Sequence, residues 1–543
     1  MTVLEQPSYS RLDHVFARFL TKLSPVDDTT KRVFNAILLR LSNQLSQGHS
    51  CISVNADECA VLISSTLADA SGLLPLVIED DRLYLQRYWH YETRLAQQLQ
   101  VLLTTEKRAA DLDVLRRYFP AASDTVVDWQ YEAVKHALQH ALTIITGGPG
   151  TGKTTTIVRL LAALQECAGE QPLHIALAAP TGKAAMRLAE AIRTRIAELP
   201  CGDDIKQRIP EQVYTLHRLL GPKPPSPYFS HDSDNPLTFD WVVVDEASMV
   251  DLSLMSKLVD ALKPGANLVL LGDKHQLASV EAGAVLADLT SALPAQTVEL
   301  QVSHRFHGAI KALADSVNQQ QAQTAWALLQ QDSLTCNLLC EDLLNFIVAQ
   351  VEPYFTLVAN NADFVTLFTE FSRFQVLSAT RLGDYGVVAL NQRLERKLVQ
   401  LRKIPHDGWY PGRPVIILQN NPALRLYNGD IGLCLPDPKQ NNRLMVFFQR
   451  ADGQVHSYLP TRLPPCESVY AMTIHKSQGS EFDEVLIVLP EYDIPLLTKE
   501  LLYTAITRAK NKINVFSQAN VFLAATQRKI ERVSGLAAKL NNF

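Results

Sequence analysis

The sequence predicts an α/β protein whose parallel sheets are covered by helices on both faces, and three observations predict it. From Trp129 onward, short β-branched or apolar runs (ALTIITG, HIALAAPTG, WVVVDEAS and NLVLLGD) alternate with segments of helical periodicity. A glycine-rich turn, GGPGTGKT at 147–154, stands between the first of these runs and a helical segment. A second series of apolar runs, FQVLSAT, EVLIVLP and KINVFS, lies in the region beginning near residue 310.

Residues 1–110 read as a helical unit, because LDHVFARFLTKL, TKRVFNAILLRLSNQL and YETRLAQQLQVLL carry apolar residues at helical spacing. Between them PLVIEDDRLYLQRYW is hairpin-like. No catalytic constellation lies there, so packing or partner binding is its expected role. Residues 111–310 form the first α/β unit, in which GPKPPSPYFSHDSDNPLTFD (221–240), rich in Pro, Ser and Asp, is expected as an exposed insertion or hairpin. Residues 311–543 form the second, with a small β insertion expected at about 390–465 from the short runs RPVIILQN, YNGDIGLCL and NRLMVFFQR. Cys336 and Cys340, four apart in SLTCNLLCEDLL, read as two apolar thiols on a helix in the core.

A chain of 543 residues holds several compact units, and 47% hydrophobic with 20% charged residues excludes a largely disordered one. No apolar run approaches the roughly 18 residues that span a bilayer, and the start MTVLEQPSYSRLD lacks the apolar stretch of a secretory signal, so a cytoplasmic address is expected. Eight cysteines without a CxxC pair argue against structural zinc and a disulfide framework. With 51 Lys plus Arg against 56 Asp plus Glu, the formal charge of −5 does not advertise a nucleic-acid binder, although a local basic groove is compatible with it.

The turn at 147–154 matches GxxxxGK(S/T) in the required strand–turn–helix context. Gly147, Gly148, Pro149, Gly150, Thr151 and Gly152 let backbone N–H groups turn inward around phosphates. Lys153 supplies a point charge to the β and γ phosphates, and the Thr154 hydroxyl can bind Mg²⁺. Asp245 and Glu246 follow four apolar residues in WVVVDEAS. Alone, such an ending could be a solvated strand terminus. Paired with Lys153, Asp245 is expected to hold Mg²⁺ and Glu246 to orient or deprotonate the attacking water.

Three further polar blocks follow: LGDKHQLASVEAG (271–283), TIHKSQGSEF (473–482) and YTAITRAK (503–510). In this order the blocks resemble the helicase motifs of superfamily 1 and, within it, the RecD family, the alpha chain of bacterial exodeoxyribonuclease V. The likeness runs from Gln130 to the C-terminus and includes the tail RVSGLAAKL. It implies two RecA-like P-loop NTPase domains with a helical N-terminal domain and small β insertions. ATP and Mg²⁺ are the implied cofactors, single-stranded and duplex-end DNA the substrate, and 5′ to 3′ the direction. RecB-like and RecC-like subunits are the implied partners, in double-strand break repair.

The same resemblance implies that Gln130 reads the adenine edge, and that Asp273 and Gln276 couple loss of the γ phosphate to domain movement. Arg305 and Arg508 would reach the γ phosphate from the second domain, with Gly479 and Glu481 near the phosphates and ribose. Thr181, Lys183, Thr215, His217, Arg218, Thr473, His475 and Lys476 would contact the DNA backbone, and 221–240 would occupy the place of a strand-splitting pin. A stand-alone helicase of the same polarity, a P-loop ATPase without translocation and a structural subunit stay open as alternatives. The sequence offers no metal-carboxylate cluster for nuclease chemistry.

Overall fold

The computed structural model describes residues 9–105, 111–119, 127–302, 308–331, 333–406, 408–450 and 454–541. At the N-terminus Ser10 and Asp13 form a capping box on the helix Arg11–Leu23, and Asp27 caps Asp28–Ser46, so both helices start at residues that satisfy their free N–H groups. The hairpin Leu76–Glu79 with Arg82–Leu85 is antiparallel and turns at Asp80, whose φ is 54°. It is the centre of a four-stranded sheet completed by Cys51–Ser53 and Ala68–Asp69, two strands too short to carry a sequence period.

The first large sheet has six parallel strands in the order Thr297–Leu300, Leu142–Gly147, Asn267–Gly272, Trp241–Val244, Ile175–Ala179, Val213–Thr215. Its middle strands are buried on both faces, and successive residues enter opposite cores. Ile144, Val242, Val244, Leu268 and Leu270 pack into one core, while Ile145, Trp241, Val243, Val269 and Leu271 pack into the other. The second sheet has five parallel strands, Cys336–Leu338, Ala509–Phe516, Phe482–Val488, Phe374–Ser378 and Ala471–Thr473. Inserted in this lobe is an antiparallel sheet of five strands between Arg413 and Ser468. The region expected as β from about 390 begins instead with the helix Val387–Gln400.

One expectation is narrowed and one corrected. Of the two alternatives for segment 221–240 the exposed insertion is observed: the segment is irregular and contains one isolated bridge, Pro222 to Phe229. Pro222, Pro224, Pro225 and Pro227 have no N–H to give to a ladder. Cys336 and Cys340 do not share a helix: Cys336 is buried in a strand paired with Ile513–Val515, and Cys340 is exposed beyond it.

After the helix Ala519–Gln527 the chain leaves the second lobe and returns to the first. The final helix Leu536–Asn541 places Leu536 and Leu540 in the same core as Leu95, Leu99, Leu286 and Leu289. Ser50 N donates to Val533 O, and Val533 N donates to His49 Nδ1. Glu92, fully buried, accepts from Ser50 Oγ, Ser534 Oγ and Gly535 N, and burial pushes its carboxyl up. Among the described residues no helix is long and apolar enough to cross a membrane.

Candidate nucleotide cleft and strand-contact blocks

Because all strands of the first sheet run the same way, their carboxyl ends share one edge, where ligands of such sheets sit. Gly147, Asp245 and Asp273 each end or directly follow one of these strands. The turn after Gly147 reaches the helix Lys153–Cys167 through Gly150 and Gly152, at φ 76° and 86°. Only glycine suits position 152, since a Cβ there would also run into the Gln130 amide. Gln130 Nε2 donates to Thr151 O, and its Oε1 accepts from Arg159. Lys153 Nζ donates to Gly147 O at 2.6 Å and Gly148 O at 3.0 Å, which draws the ammonium into the turn.

Asp245 lies at the foot of the cleft. Desolvation there, and secondly the Glu246 carboxylate, push its pKa up, while Lys153 opposes them. Glu246 holds a left-handed conformation, φ 53°, unusual for a residue with a Cβ.

The second lobe reaches this edge through buried side chains. Arg508 donates from Nε to Thr504 O, from Nη1 to Ser480 O, and from Nη2 to Gln276 Oε1 at 3.0 Å. Burial lowers its pKa, opposed first by Glu246. Gln276 donates in turn to Asp273, which also accepts from the Tyr503 hydroxyl at 3.2 Å. Leu277 completes the junction: its N donates to Thr504 Oγ1, and its O accepts from Gln478 Nε2. On the other side Arg187 donates to Gly479 O and pairs with Glu481 at 3.5 Å. A methyl built on Gly148 would lie 3.1 Å from the Tyr503 hydroxyl, so the turn itself faces the second lobe.

These groups enclose a cavity of about 930 Å³. From the first lobe it is lined by Gln130, Pro149, Gly150, Thr151, Gly152, Lys153, Thr154, Asp245, Glu246 and Gln276, and from the second by Gly479, Glu481 and Arg508. Gly147, Gly148 and Asp273 do not line it; they stand behind it through the bonds just described. Arg305 lies outside the described residues. Arg187 and Arg159 also line the cavity, and neither stood out in the sequence. Tyr503, Thr504 and Gln478 lay inside blocks that did, but nothing in those blocks says which side chains cross between lobes.

The eight candidate DNA contacts fall on three segments, 181–183, 215–218 and 473–476. Thr181 and Thr215 accept from Ala184 N and Arg218 N as helix N-caps, and Thr473 accepts from Lys476 N. His217 and Arg218 are exposed, the first edge-on to Phe229 and the second over Tyr214. Lys476 pairs with Glu467 at 3.3 Å, and Arg381 grips the same carboxylate with two bonds of 2.9 and 2.7 Å. Burial, and secondly Arg532, lower the pKa of His475. Lys183 faces a separate cavity of about 320 Å³ shared with Phe371, Asp430, Arg450 and Phe482. Burial there lowers it to about 8, with Arg187 adding to the shift and Asp430 opposing it.

Over 498 residues the chain is 42% identical to "RecBCD enzyme subunit RecD" of Mycobacterium tuberculosis, covering 89% of this chain and 84% of that one. The chain belongs to the RecD family of superfamily 1 helicases. It is 35% identical to the RecD subunit of Haemophilus influenzae over 87% of this chain and 82% of the relative. Against the "ATP-dependent RecD2 DNA helicase" of Deinococcus radiodurans it is 31% identical over 83% of this chain, which spans 57% of that protein. Residues 130–282 match the AAA domain and 468–516 the UvrD-like helicase C-terminal domain.

Membership of the RecD family makes the chain an ATP-dependent DNA helicase, and the cavity is its candidate nucleotide cleft. The donor set suits a polyphosphate: a glycine turn at a helix N-terminus, one lysine from the first lobe and one buried arginine from the second.

Proposed function

We propose that this chain hydrolyses ATP with Mg²⁺ and steps 5′ to 3′ along single-stranded DNA as the motor subunit of a RecBCD-type complex. The reading rests above all on the chain of bonds from Asp273 through Gln276 to Arg508, which ties the hydrolytic edge of one lobe to a cation of the other. In this reading the turn 147–154 holds the phosphates, Gln130 the base, and Thr154 with Asp245 the metal. ATP bound there supplies the phosphoanhydride whose hydrolysis provides the driving free energy. Glu246 accepts a proton from the attacking water, and Lys153 and Arg508 bring positive charge to the phosphates from opposite lobes. Arg508 and Gln276 are bonded across the interface, so a change of charge at the cleft bears directly on how the lobes sit.

The units 1–110, 111–310 and 311–543, the last of which lends its final helix to the core of the first lobe, serve as partner-binding domain and the two motor lobes, in a cytoplasmic protein. Leu12, Val15, Phe19 and Leu23 expose an apolar stripe along the first helix, which fits a RecC-like or RecB-like partner.

Strand displacement on matched 5′-tailed and 3′-tailed duplexes, with and without ATP, tests the proposal. ATP-dependent unwinding of the 5′-tailed duplex alone is expected, abolished by Lys153→Gln. A requirement for the 3′ tail reverses the polarity, and hydrolysis indifferent to DNA removes the motor.

A further inference from the structure

The loop 273–283 joins the strand Asn267–Gly272 to the helix Val285–Ala292, and its first half carries the groups that meet the second lobe: Asp273, Gln276 and the backbone of Leu277. Its second half is held by the C-terminal tail. Arg532 donates from Nη1 to Glu281 O at 3.0 Å and Gly283 O at 2.8 Å, and from Nη2 to Ser279 O at 2.6 Å. Three carbonyls within five residues thus converge on one planar cation, an arrangement of charge-assisted bonds that fixes backbone direction. The N-terminal unit closes the same joint. Gly283 N donates to Gly48 O at 2.9 Å, and Gly48 has φ +92°, with Arg532 Cζ 2.7 Å from where its Cβ would stand.

We propose that Arg532 is a positioning residue for ATP hydrolysis: it anchors the loop 273–283 so that Gln276 stays on Arg508. This rests on the helicase reading and adds to it a group remote from the cleft. The tail has anchors of its own, since Lys539 pairs with Glu79, Ser534 donates to Glu92, and Leu536 and Leu540 are buried. Docking the tail is therefore separable from holding the loop. Without the guanidinium, three carbonyls lose their shared donor and the loop gains freedom at the end opposite Gln276. Misplacement of Gln276 and Arg508 lowers the rate of the chemical step. ATP affinity, set by the turn 147–154 and Gln130 on the far side of the cleft, stays as it was.

Steady-state hydrolysis by the full chain at saturating single-stranded DNA, with ATP varied, separates the two effects. Arg532→Ala is expected to lower kcat about tenfold with KM for ATP within about twofold, and Arg532→Lys to recover part of the loss. Lys539→Ala, which loosens the tail without touching the loop, is expected to keep the wild-type kcat. The proposal is overturned by a wild-type kcat in Arg532→Ala, by an effect on KM alone, or by equal losses in Arg532→Ala and Lys539→Ala. Should Arg532→Ala fail to fold, Arg532→Gln and Arg532→Lys carry the same comparison. A wild-type chain unstimulated by DNA overturns the helicase reading and this inference with it, whereas a stimulated wild type with an indifferent Arg532 overturns this inference alone.

Discussion

The first lobe's half of the candidate cleft and the strand-contact blocks are both built from polar residues at or after the carboxyl ends of parallel strands, yet their side chains have different partners. In the cleft, Gln276, Asp273 and Arg508 bond to residues more than 200 positions away or to groups that do. In the strand-contact blocks, Thr181, Thr215 and Thr473 each accept from an N–H three residues on. Polar residues after a strand have two uses, starting the next helix or facing a ligand, and a hydroxyl that caps has already satisfied one of its acceptor sites. A threonine in such a position is weaker evidence for a ligand than a buried arginine with a cross-lobe partner.

The contrast is broken most severely at Arg508. Arg508→Ala removes the second-lobe cation and strips Gln276, Ser480 O and Thr504 O of a donor, and kcat for ATP hydrolysis is expected to fall about 10³-fold with a small change in KM. A loss under tenfold would make this arginine a structural tie between the lobes.

The next effect is that of pH on Asp245. Its folded pKa is raised, so the stability it contributes is complete below the ordinary carboxylate range and is lost as pH rises through the raised value. Metal binding needs the ionised form. Hydrolysis is therefore expected to rise about tenfold per pH unit below that value, and added Mg²⁺ should move the rise to lower pH. Asp245→Asn should abolish hydrolysis while raising Tm at pH 8 by about 2 °C, a gain that vanishes at pH 4. Melting curves of the nucleotide-free chain across pH check the sign.

Smaller effects are expected on the DNA side. Glu467→Gln frees Lys476 and Arg381 from a shared carboxylate, so affinity for single-stranded DNA should rise about threefold and its salt dependence steepen by about 0.7 in log–log slope. Unchanged affinity in a salt titration would place Lys476 off the strand path. Thr215→Ala should cost about 0.5–1 kcal/mol in urea denaturation as a lost cap and alter DNA affinity less than twofold. A larger loss of affinity without loss of stability would restore Thr215 as a contact.

The same distinction explains what was legible in the sequence. The strands around Ile144, Val243 and Leu270 were, because burial on both faces leaves continuous apolar runs. So was the gathering of Lys153, Asp245 and Glu246 at one cavity, because all three lie just past the ends of buried strands of one sheet. Arg187 was not, and Tyr503 and Arg532, though inside quoted blocks, gave no sign of their partners: each bonds to a segment distant in sequence, and the docking of one lobe on another leaves no period in the chain. At 221–240, expected as an exposed insertion or hairpin, turn-rich composition signals irregular backbone without specifying pairing, and the segment is an exposed insertion with one bridge. The pairing of Cys336 with Ile513 likewise depended on a strand far downstream.

Gly148 faces Tyr503 across the joint between the lobes. There the turn 147–154 stands against the other lobe, with hydrogen alone where a carbon would press on the hydroxyl of Tyr503. A single methyl there would act as a shim, holding the two halves apart by a few tenths of an ångström. How closely the two lobes can meet at that point is thus set by the smallest residue the turn could carry there.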